Sequence, residues 1–400
     1  MTVAGPVQQA ASGTRSKREV VLMVLLGGQL VGIGGVFPYY SWVTEDSVQL
    51  RLYSSTLLLI AVATMYALWT RRTWAPWGVL ITVSMKLVVD AFNWAEELDR
   101  ALIPLSTTLN GAIIVLTFVT YVYPSGPTVT RGMKIFFTSV LLLAGMIGYW
   151  GFLRPARADV VLPFPVPPLH ARFLGAMYLS GATFMILGIA AKRWAEVRVM
   201  VPMIAIWTGM LGLVSLLHLE IFDWGLKQTW IWWVAYVCFP LIAAWIAYQQ
   251  RWRTDRGDGA TMSGGLRGYL YAQGTVATIL AIALFVAPGY MADRWPWDIS
   301  SVLAHIYCAP FLSYGLGSLY AARQETWKEV RIPVYSTLVF TVGVLVSSFI
   351  ERQLFDLGSF IDLVWFGVFT ISSVALAAFA MIHSLRITLE PPPSDDRKGR

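Results

Sequence analysis

The sequence predicts an all-α polytopic membrane protein with about twelve transmembrane helices, arranged as three parallel four-helix modules. Three observations lead to this prediction: an apolar composition, an internal similarity at a fixed spacing, and an uneven distribution of basic residues. Hydrophobic residues make up 56% of the 400 and charged residues 13%, whereas soluble globular domains carry about 25% charged residues. The composition therefore places the chain among integral membrane proteins.

An internal similarity relates two long segments of the chain. Residues 163–225 align with residues 296–358 without a gap, at a constant separation of 133 residues, and fifteen of the 63 aligned pairs are identical. The best-preserved stretch is Trp-x-Glu-Val-Arg, at 194–198 and again at 327–331. A tight basic turn with Trp at the membrane interface is a structural explanation of this stretch, and an anionic lipid headgroup bound by the basic turn is the alternative. Similarity at a fixed period indicates that one supersecondary unit is repeated.

Twelve segments of the chain meet the requirement for a membrane-spanning helix, which is about 20 mostly apolar residues. They lie at roughly 20–41, 52–70, 75–94, 104–123, 133–153, 172–191, 199–219, 230–249, 269–290, 301–322, 332–352 and 361–385. Several of the joins between them are short and charged, which leaves no room for a soluble domain.

The orientation of these helices follows from the Lys/Arg distribution, because loops that remain in the cytoplasm are enriched in basic residues. With the N-terminus inside, the cytoplasmic segments hold 21 of the 30 basic residues and the outer segments hold eight. The remaining basic residue, Lys86, lies within a helix. The sequence thus predicts a multi-pass protein of the cytoplasmic membrane with both termini in the cytoplasm.

The repeat unit contains four helices, and an even number of helices makes the repeats parallel rather than inverted. A diverged first copy is expected because Arg71-Arg72-Thr73-Trp74 forms a similar basic turn. The predicted divisions are a basic tail 1–18, module 1 at 19–124, module 2 at 130–250, a linker 251–267, module 3 at 268–387, and a tail 388–400.

No cofactor, metal or nucleic-acid partner is predicted. Two cysteines, each within an apolar run, support neither a disulfide framework nor a metal site. None of the four histidines has a partner at metal-ligand spacing. The net charge of +7 reflects the basic cytoplasmic loops. The expected partners are the lipid bilayer, with a small-molecule or lipid ligand and other membrane proteins as open alternatives.

A candidate intramembrane polar site consists of Lys86, Asp90 and Asn93 in the third predicted helix. Their spacing of four and then three residues places all three on one helix face. A charge near the bilayer centre costs about 2.5–3.5 kcal/mol on insertion scales, so we expect these side chains to face the protein interior. The two interpretations are a binding or relay site and a structural ion pair that docks module 1. Gln29 and Asn110 are candidates for the same polar interior.

A candidate outer-face site is predicted where the second helices of modules 2 and 3 begin and their third helices end. Arg172 and His305 occupy aligned positions, and so do His218 and Glu351. The predicted site comprises Arg172, His305, His218, Glu351, Asp223 and Asp356. A basic and an acidic group at similar depth within each module favour a repeated interhelical salt bridge. A binding site at the outer surface is the alternative.

Three functions remain open from the sequence. The first is a transporter-like or small-molecule-binding bundle around the Lys86/Asp90 pair, and the second is a structural or assembly subunit of a membrane complex. The third is a membrane enzyme acting on a lipid-linked substrate, for which Glu45 and Asp46 in the first outer loop would supply a base or metal ligands. No catalytic residue is assigned, because nucleotide-binding and nucleophile-elbow motifs do not occur in the sequence.

Overall fold

The fold is described from a computed structural model, which covers residues 15–31, 48–72, 74–92, 99–121, 126–257 and 259–389. These residues contain no β-strand and two isolated β-bridges. The long helices of this part of the chain are α1 (Lys17–Val31), α2 (Val48–Trp69), α3 (Ala75–Phe92), α4 (Asp99–Tyr121), α5 (Arg131–Leu153), α6 (Pro168–Ala190), α7 (Met200–Leu217), α8 (Lys227–Gln249), α9 (Gly264–Val286), α10 (Ser301–Ala321), α11 (Trp327–Ile350) and α12 (Phe360–Leu389).

Eight helices in the described ranges are long and apolar enough to cross a membrane. They are α5 to α12, with α7 taken together with the short helical turn Trp194–Val197 before it. Helices satisfy their own backbone hydrogen bonds, as a segment surrounded by lipid requires. The protein is therefore a helical bundle of the membrane type. Each of the twelve predicted segments overlaps a helix, but α1 to α4 are not among the eight, and a count of twelve spans stays a prediction.

The chain divides into two compact units: Met1–Tyr123 with Trp224–Cys238, and Pro124–Asp223 with Phe239–Arg400. In the first unit α2 packs against α3, α3 against α4, and α1 against α4 and α2. Its core contains apolar side chains from all four of these helices, namely Leu22, Leu26, Ala67, Leu68, Ala75, Val79, Val83 and Ile113.

The second unit is held by packing between consecutive helices and between helices that are distant in sequence. Helix α6 packs against α5 and α11, and helix α10 packs against α9 and α7. Helix α12 packs against α11. Because α6 and α11 lie far apart in the chain, this packing brings together side chains that no local pattern relates.

The packing of α5 on α6 depends on small residues. A Cβ atom at Gly175 would lie 2.3 Å from the backbone nitrogen of Phe152, and one at Gly151 would lie 2.7 Å from the carbonyl oxygen of Ala171. Only glycine fits at these two positions without moving a backbone. Close approach of helix backbones at small residues is a common way to pack membrane helices.

Helix starts in the second unit recur at a separation of 133 residues. Helices α5 and α9 begin at Arg131 and Gly264, α6 and α10 at Pro168 and Ser301, and α8 and α12 at Lys227 and Phe360. The residue before α5, Thr130, accepts a hydrogen bond from the Met133 backbone at 3.3 Å. Ser263 before α9 accepts one from the Leu266 backbone at 3.3 Å. Ser and Thr are preferred at this position because they satisfy a free N–H of the first turn.

The turns that precede α7 and α11 are built from matching bridges. Thr128 pairs with Arg193 in one isolated β-bridge, and Thr261 pairs with Thr326 in the other. The glycine two residues before each threonine has a positive φ, 108° at Gly126 and 120° at Gly259. A positive φ is accessible to glycine at little cost, and a side chain at either position would strain the turn.

Candidate functional site

The Trp-x-Glu-Val-Arg stretches form reciprocal contacts within the second unit. Glu196 accepts hydrogen bonds from the backbones of Lys192 and Arg193, both at 3.1 Å, and it also binds the side chain of Arg331. Glu329 accepts hydrogen bonds from the backbone of Thr326 at 2.9 Å and from the side chain of Arg198 at 3.5 Å. Each glutamate thus caps its own helical turn and binds the arginine of the other stretch.

Burial makes these two glutamates structural rather than catalytic residues. The side chain of Glu329 is 2% exposed and that of Glu196 is 11% exposed. Glu329 further accepts the Gly257 and Glu325 backbones at 3.2 and 3.1 Å. A carboxylate that accepts this many hydrogen bonds is held in one position.

The predicted outer-face site contains a salt bridge between segments. Arg172 at the start of α6 binds Glu351 after α11, with 3.0 Å between Nε and Oε1. Its Nη1 donates to the carbonyl of Phe152 at 2.8 Å. The prediction placed such a pair within each predicted module, whereas Arg172 lies in the segment 130–250 and Glu351 in the segment 268–387. The reason is that α6 packs against α11.

The aligned positions hold two histidines instead of an arginine and a glutamate. Nε2 of His218 lies 2.8 Å from Nδ1 of His305, and Nε2 of His305 lies 3.0 Å from the carbonyl oxygen of Phe285. Phe285 aligns with Phe152, so Arg172 and His305 each contact the carbonyl oxygen of the same aligned position. The structure thus pairs Arg172 with Glu351 and His305 with His218, so both contacts join the two aligned segments.

The hydrogen-bond chain of the histidines constrains their protons. The Phe285 carbonyl only accepts, so Nε2 of His305 donates to it, and in neutral His305 Nδ1 accepts from His218. The other ring nitrogen of His218, Nδ1, lies 3.1 Å from the carboxylate of Glu220. Hydrogen bonds from its own backbone and from His218 hold the pKa of Glu220 below the ordinary carboxyl value.

Asp223 and Asp356 are exposed and lie in the loops that lead to α8 and α12. The carboxylate of Asp356 accepts a hydrogen bond from the Gly358 backbone at 2.9 Å, and its own backbone N–H donates to Asp362 at 2.6 Å. An aspartate that binds the backbone two residues further on stabilises a turn. In the structure Asp356 therefore shapes the loop before α12.

The first unit contains the candidate intramembrane polar site. Nζ of Lys86 in α3 donates to Oγ of Ser106 in α4 at 3.2 Å. One turn further along α4, Oδ1 of Asn110 accepts from Nε2 of Gln29 in α1 at 2.5 Å. The side chain of Asp90 lies outside the described part of the structure, as do Asn93, Glu45 and Asp46.

Two features of the second unit were not identified from the sequence. His170 is buried, and its Nδ1 lies 2.9 Å from the hydroxyl of Tyr307 and 3.2 Å from the indole nitrogen of Trp297. A cavity of about 320 Å³ lies beside Trp194 and Gln250. Neither was predictable from spacing, because the residues involved come from distant helices.

Among the described residues, no group of three or more His, Cys, Asp or Glu side chains is arranged to hold a metal ion. Comparison of the chain with protein-family models, with curated proteins and with solved structures finds no match.

Proposed function

We propose that this chain is a transporter-like or small-molecule-binding protein of the cytoplasmic membrane, with a polar interior among its first four helices. The observation that carries the proposal is the meeting of polar side chains from α1, α3 and α4. Gln29 and Asn110 are 5% and 0% exposed, in helices that are otherwise apolar. Lys86 reaches Ser106, which lies one turn from Asn110 on the same face of α4.

The energetic cost of this arrangement favours a function over simple packing. Burying polar groups without compensation is unfavourable, and a membrane helix that carries a lysine inserts at a cost of about 2.5–3.5 kcal/mol. Ionisable residues inside membrane segments typically line substrate or ion pathways. Asp90, four residues after Lys86 on the same helix, is the proposed second charge of this site.

Water access tests the proposal without knowledge of the ligand. In a variant with Cys238 and Cys308 replaced by alanine, we expect Lys86→Cys and Ser106→Cys to react with a membrane-impermeant, water-soluble maleimide in vesicles. A polar interior that binds a solute must open to water, whereas a sealed structural cluster does not. Labelling is measured by the mass shift of the protein after a fixed time.

Ile113→Cys is the matched control, because Ile113 lies on α4 and is 0% exposed within the apolar core. It should remain unlabelled in folded protein and react after denaturation. If Lys86→Cys and Ser106→Cys are as unreactive as Ile113→Cys from both sides of the membrane, the polar residues are structural and the proposal is wrong.

We further propose twelve spans in three parallel modules, with segments 130–250 and 268–387 as two copies and 19–124 as a diverged third. Helix starts, turn bridges and glutamate–arginine bonds that recur at a separation of 133 residues support the relation between the first two segments. Recurrent hydrogen bonds are stronger support than identities alone, because each depends on two aligned positions.

Reporter fusions test the orientation. A fusion after Arg256 should report the cytoplasm, because the neighbouring segment is rich in basic residues, and a fusion after Pro163 should report the outside. Alkaline phosphatase and a fluorescent protein, active on opposite sides, provide paired readouts. The opposite result at either position would rule out the proposed topology and the outer location of the Arg172 and His305 site.

A further inference from the structure

The cavity of about 320 Å³ lies among α7, α8 and α10, at the end of the second unit where the Trp194–Val197 turn precedes α7. Its lining includes apolar residues, namely Pro202, Met203, Ile206, Ala247 and Leu316. It also includes polar residues, namely Trp194, Arg198, Gln250 and Arg251. Its volume is within the range of small-molecule sites, which begins at about 300 Å³.

Three buried polar atoms around this cavity have no hydrogen-bond partner. They are the indole nitrogen of Trp194, Nε of Arg198 and Oε1 of Gln250. Trp194 and Gln250 are 2% and 1% exposed, so bulk water does not satisfy them. Buried polar groups in folded proteins are almost always paired, and a cluster without partners indicates a polar ligand or ordered water.

The charge of the lining favours an anion. Arg198, Arg251 and Arg253 line the cavity, and no Asp or Glu does. Arg198 is balanced by Glu329 at 3.5 Å, and Arg253 by Asp255 at 3.6 Å. Arg251 contacts the carbonyl of Tyr248 at 2.6 Å and lies over the rings of Tyr248 and Trp252. These contacts do not neutralise its charge, which is therefore available to a ligand.

We propose that this cavity binds an anionic lipid, with the phosphate of the headgroup at Trp194 and Arg251 and the start of an acyl chain along the apolar residues. Arginine and indole N–H groups are suitable donors to phosphate oxygens. Trp and Arg also concentrate where membrane helices meet the headgroup layer, and basic pockets between helices on the cytoplasmic side bind lipid headgroups. The apolar part of the lining distinguishes a lipid from a free phosphate.

The aligned position in the other segment has different contacts. Trp327 aligns with Trp194, and His383 aligns with Gln250. The ring of His383 stacks on Trp327, with 4.7 Å between the ring centroids. His383 Nε2 accepts from the Ser263 backbone at 3.3 Å, and Nδ1 lies 2.8 Å from the carbonyl oxygen of Phe379. The residue aligned with Gln250 is therefore a histidine that stacks on the tryptophan and is hydrogen-bonded at both ring nitrogens.

Native mass spectrometry of the full-length protein in detergent tests the proposal. Wild-type protein should bind phosphatidylglycerol more tightly than phosphatidylcholine, and Trp194→Phe and Arg251→Gln should each weaken that binding about tenfold, as expected for a lost hydrogen bond to a charged group. Trp327→Phe is the matched control, because Trp327 is also 2% exposed at the aligned position. It should bind phosphatidylglycerol like the wild type.

The variants separate binding from folding. Arg251 is exposed, so Arg251→Gln is expected to fold even if Trp194→Phe does not. Equal binding of the two lipids by the wild type, or unchanged binding by Arg251→Gln, would overturn the proposal. Competition by glycerol 3-phosphate at the same concentration as the lipid would identify a soluble phosphate as the ligand and would also overturn it. Labelling of Lys86→Cys is independent of these outcomes.

Discussion

Replacing Glu329 with alanine is expected to lower the free energy of unfolding by about 3–5 kcal/mol, the usual effect of breaking a buried ion pair. The carboxylate is 2% exposed and binds Arg198. It also caps the start of α11 through the Thr326 backbone at 2.9 Å and the Glu325 backbone at 3.1 Å. The substitution leaves several buried donors unsatisfied at once. The thermal unfolding midpoint in detergent measures the loss.

Glu325→Ala is the control for this prediction. Glu325 forms a salt bridge with Arg256 at 2.8 Å, but the two side chains are 55% and 75% exposed. Exposed ion pairs contribute about 0–1 kcal/mol, so this variant should unfold close to the wild type. Similar midpoints for Glu329→Ala and Glu325→Ala would show that the capping and cross-segment contacts of Glu329 do not contribute to stability.

Replacing one partner of the Arg172–Glu351 salt bridge is also expected to lower the free energy of unfolding substantially. The two side chains are 19% and 15% exposed. We expect Arg172→Met and Glu351→Leu each to cost about 2–3 kcal/mol, somewhat less than a fully buried pair. The double variant should cost no more than either single change, because it leaves no charge without its partner. Unfolding midpoints of the four proteins form a double-mutant cycle.

The histidine pair provides a matched exchange for this cycle. Because His305 and His218 occupy the positions aligned with Arg172 and Glu351, the combined variant His305→Arg with His218→Glu should fold and form a second salt bridge. Additive single effects at Arg172 and Glu351 would contradict the predicted coupling. Failure of the exchange variant to fold, with a normal double-mutant cycle, would show that the two environments differ.

The candidate sites were predicted to different extents. The candidate intramembrane polar site was predicted from one lysine within an apolar helix, because the cost of a charge in lipid is independent of the fold. The aligned positions of Arg172 and His305, and of His218 and Glu351, also followed from the sequence. Their partners did not, since a repeated salt bridge within each module fits the same alignment.

An anionic lipid at the Trp194 turn was an alternative from the sequence, but the cavity itself could not be predicted. Trp194 and Arg198 were expected to have a structural role in a tight turn, and Glu196 and Glu329 do cap such turns. Gln250 does not belong to a recognisable sequence motif. The buried amide of Gln250 indicates a binding site only because it lies beside the same cavity as the unpartnered indole of Trp194, which belongs to a different helix.

The sequence by itself determined that the protein is an apolar helical bundle and where its helices lie, because hydrophobic run length, turn residues and charge distribution act locally. Only the tertiary structure decided that Arg172 binds Glu351, that Glu196 binds Arg331, and that His383 stacks on Trp327. The physical reason is that each of these contacts depends on how helices that are distant in the chain pack together. A one-dimensional pattern contains the positions but not the packing.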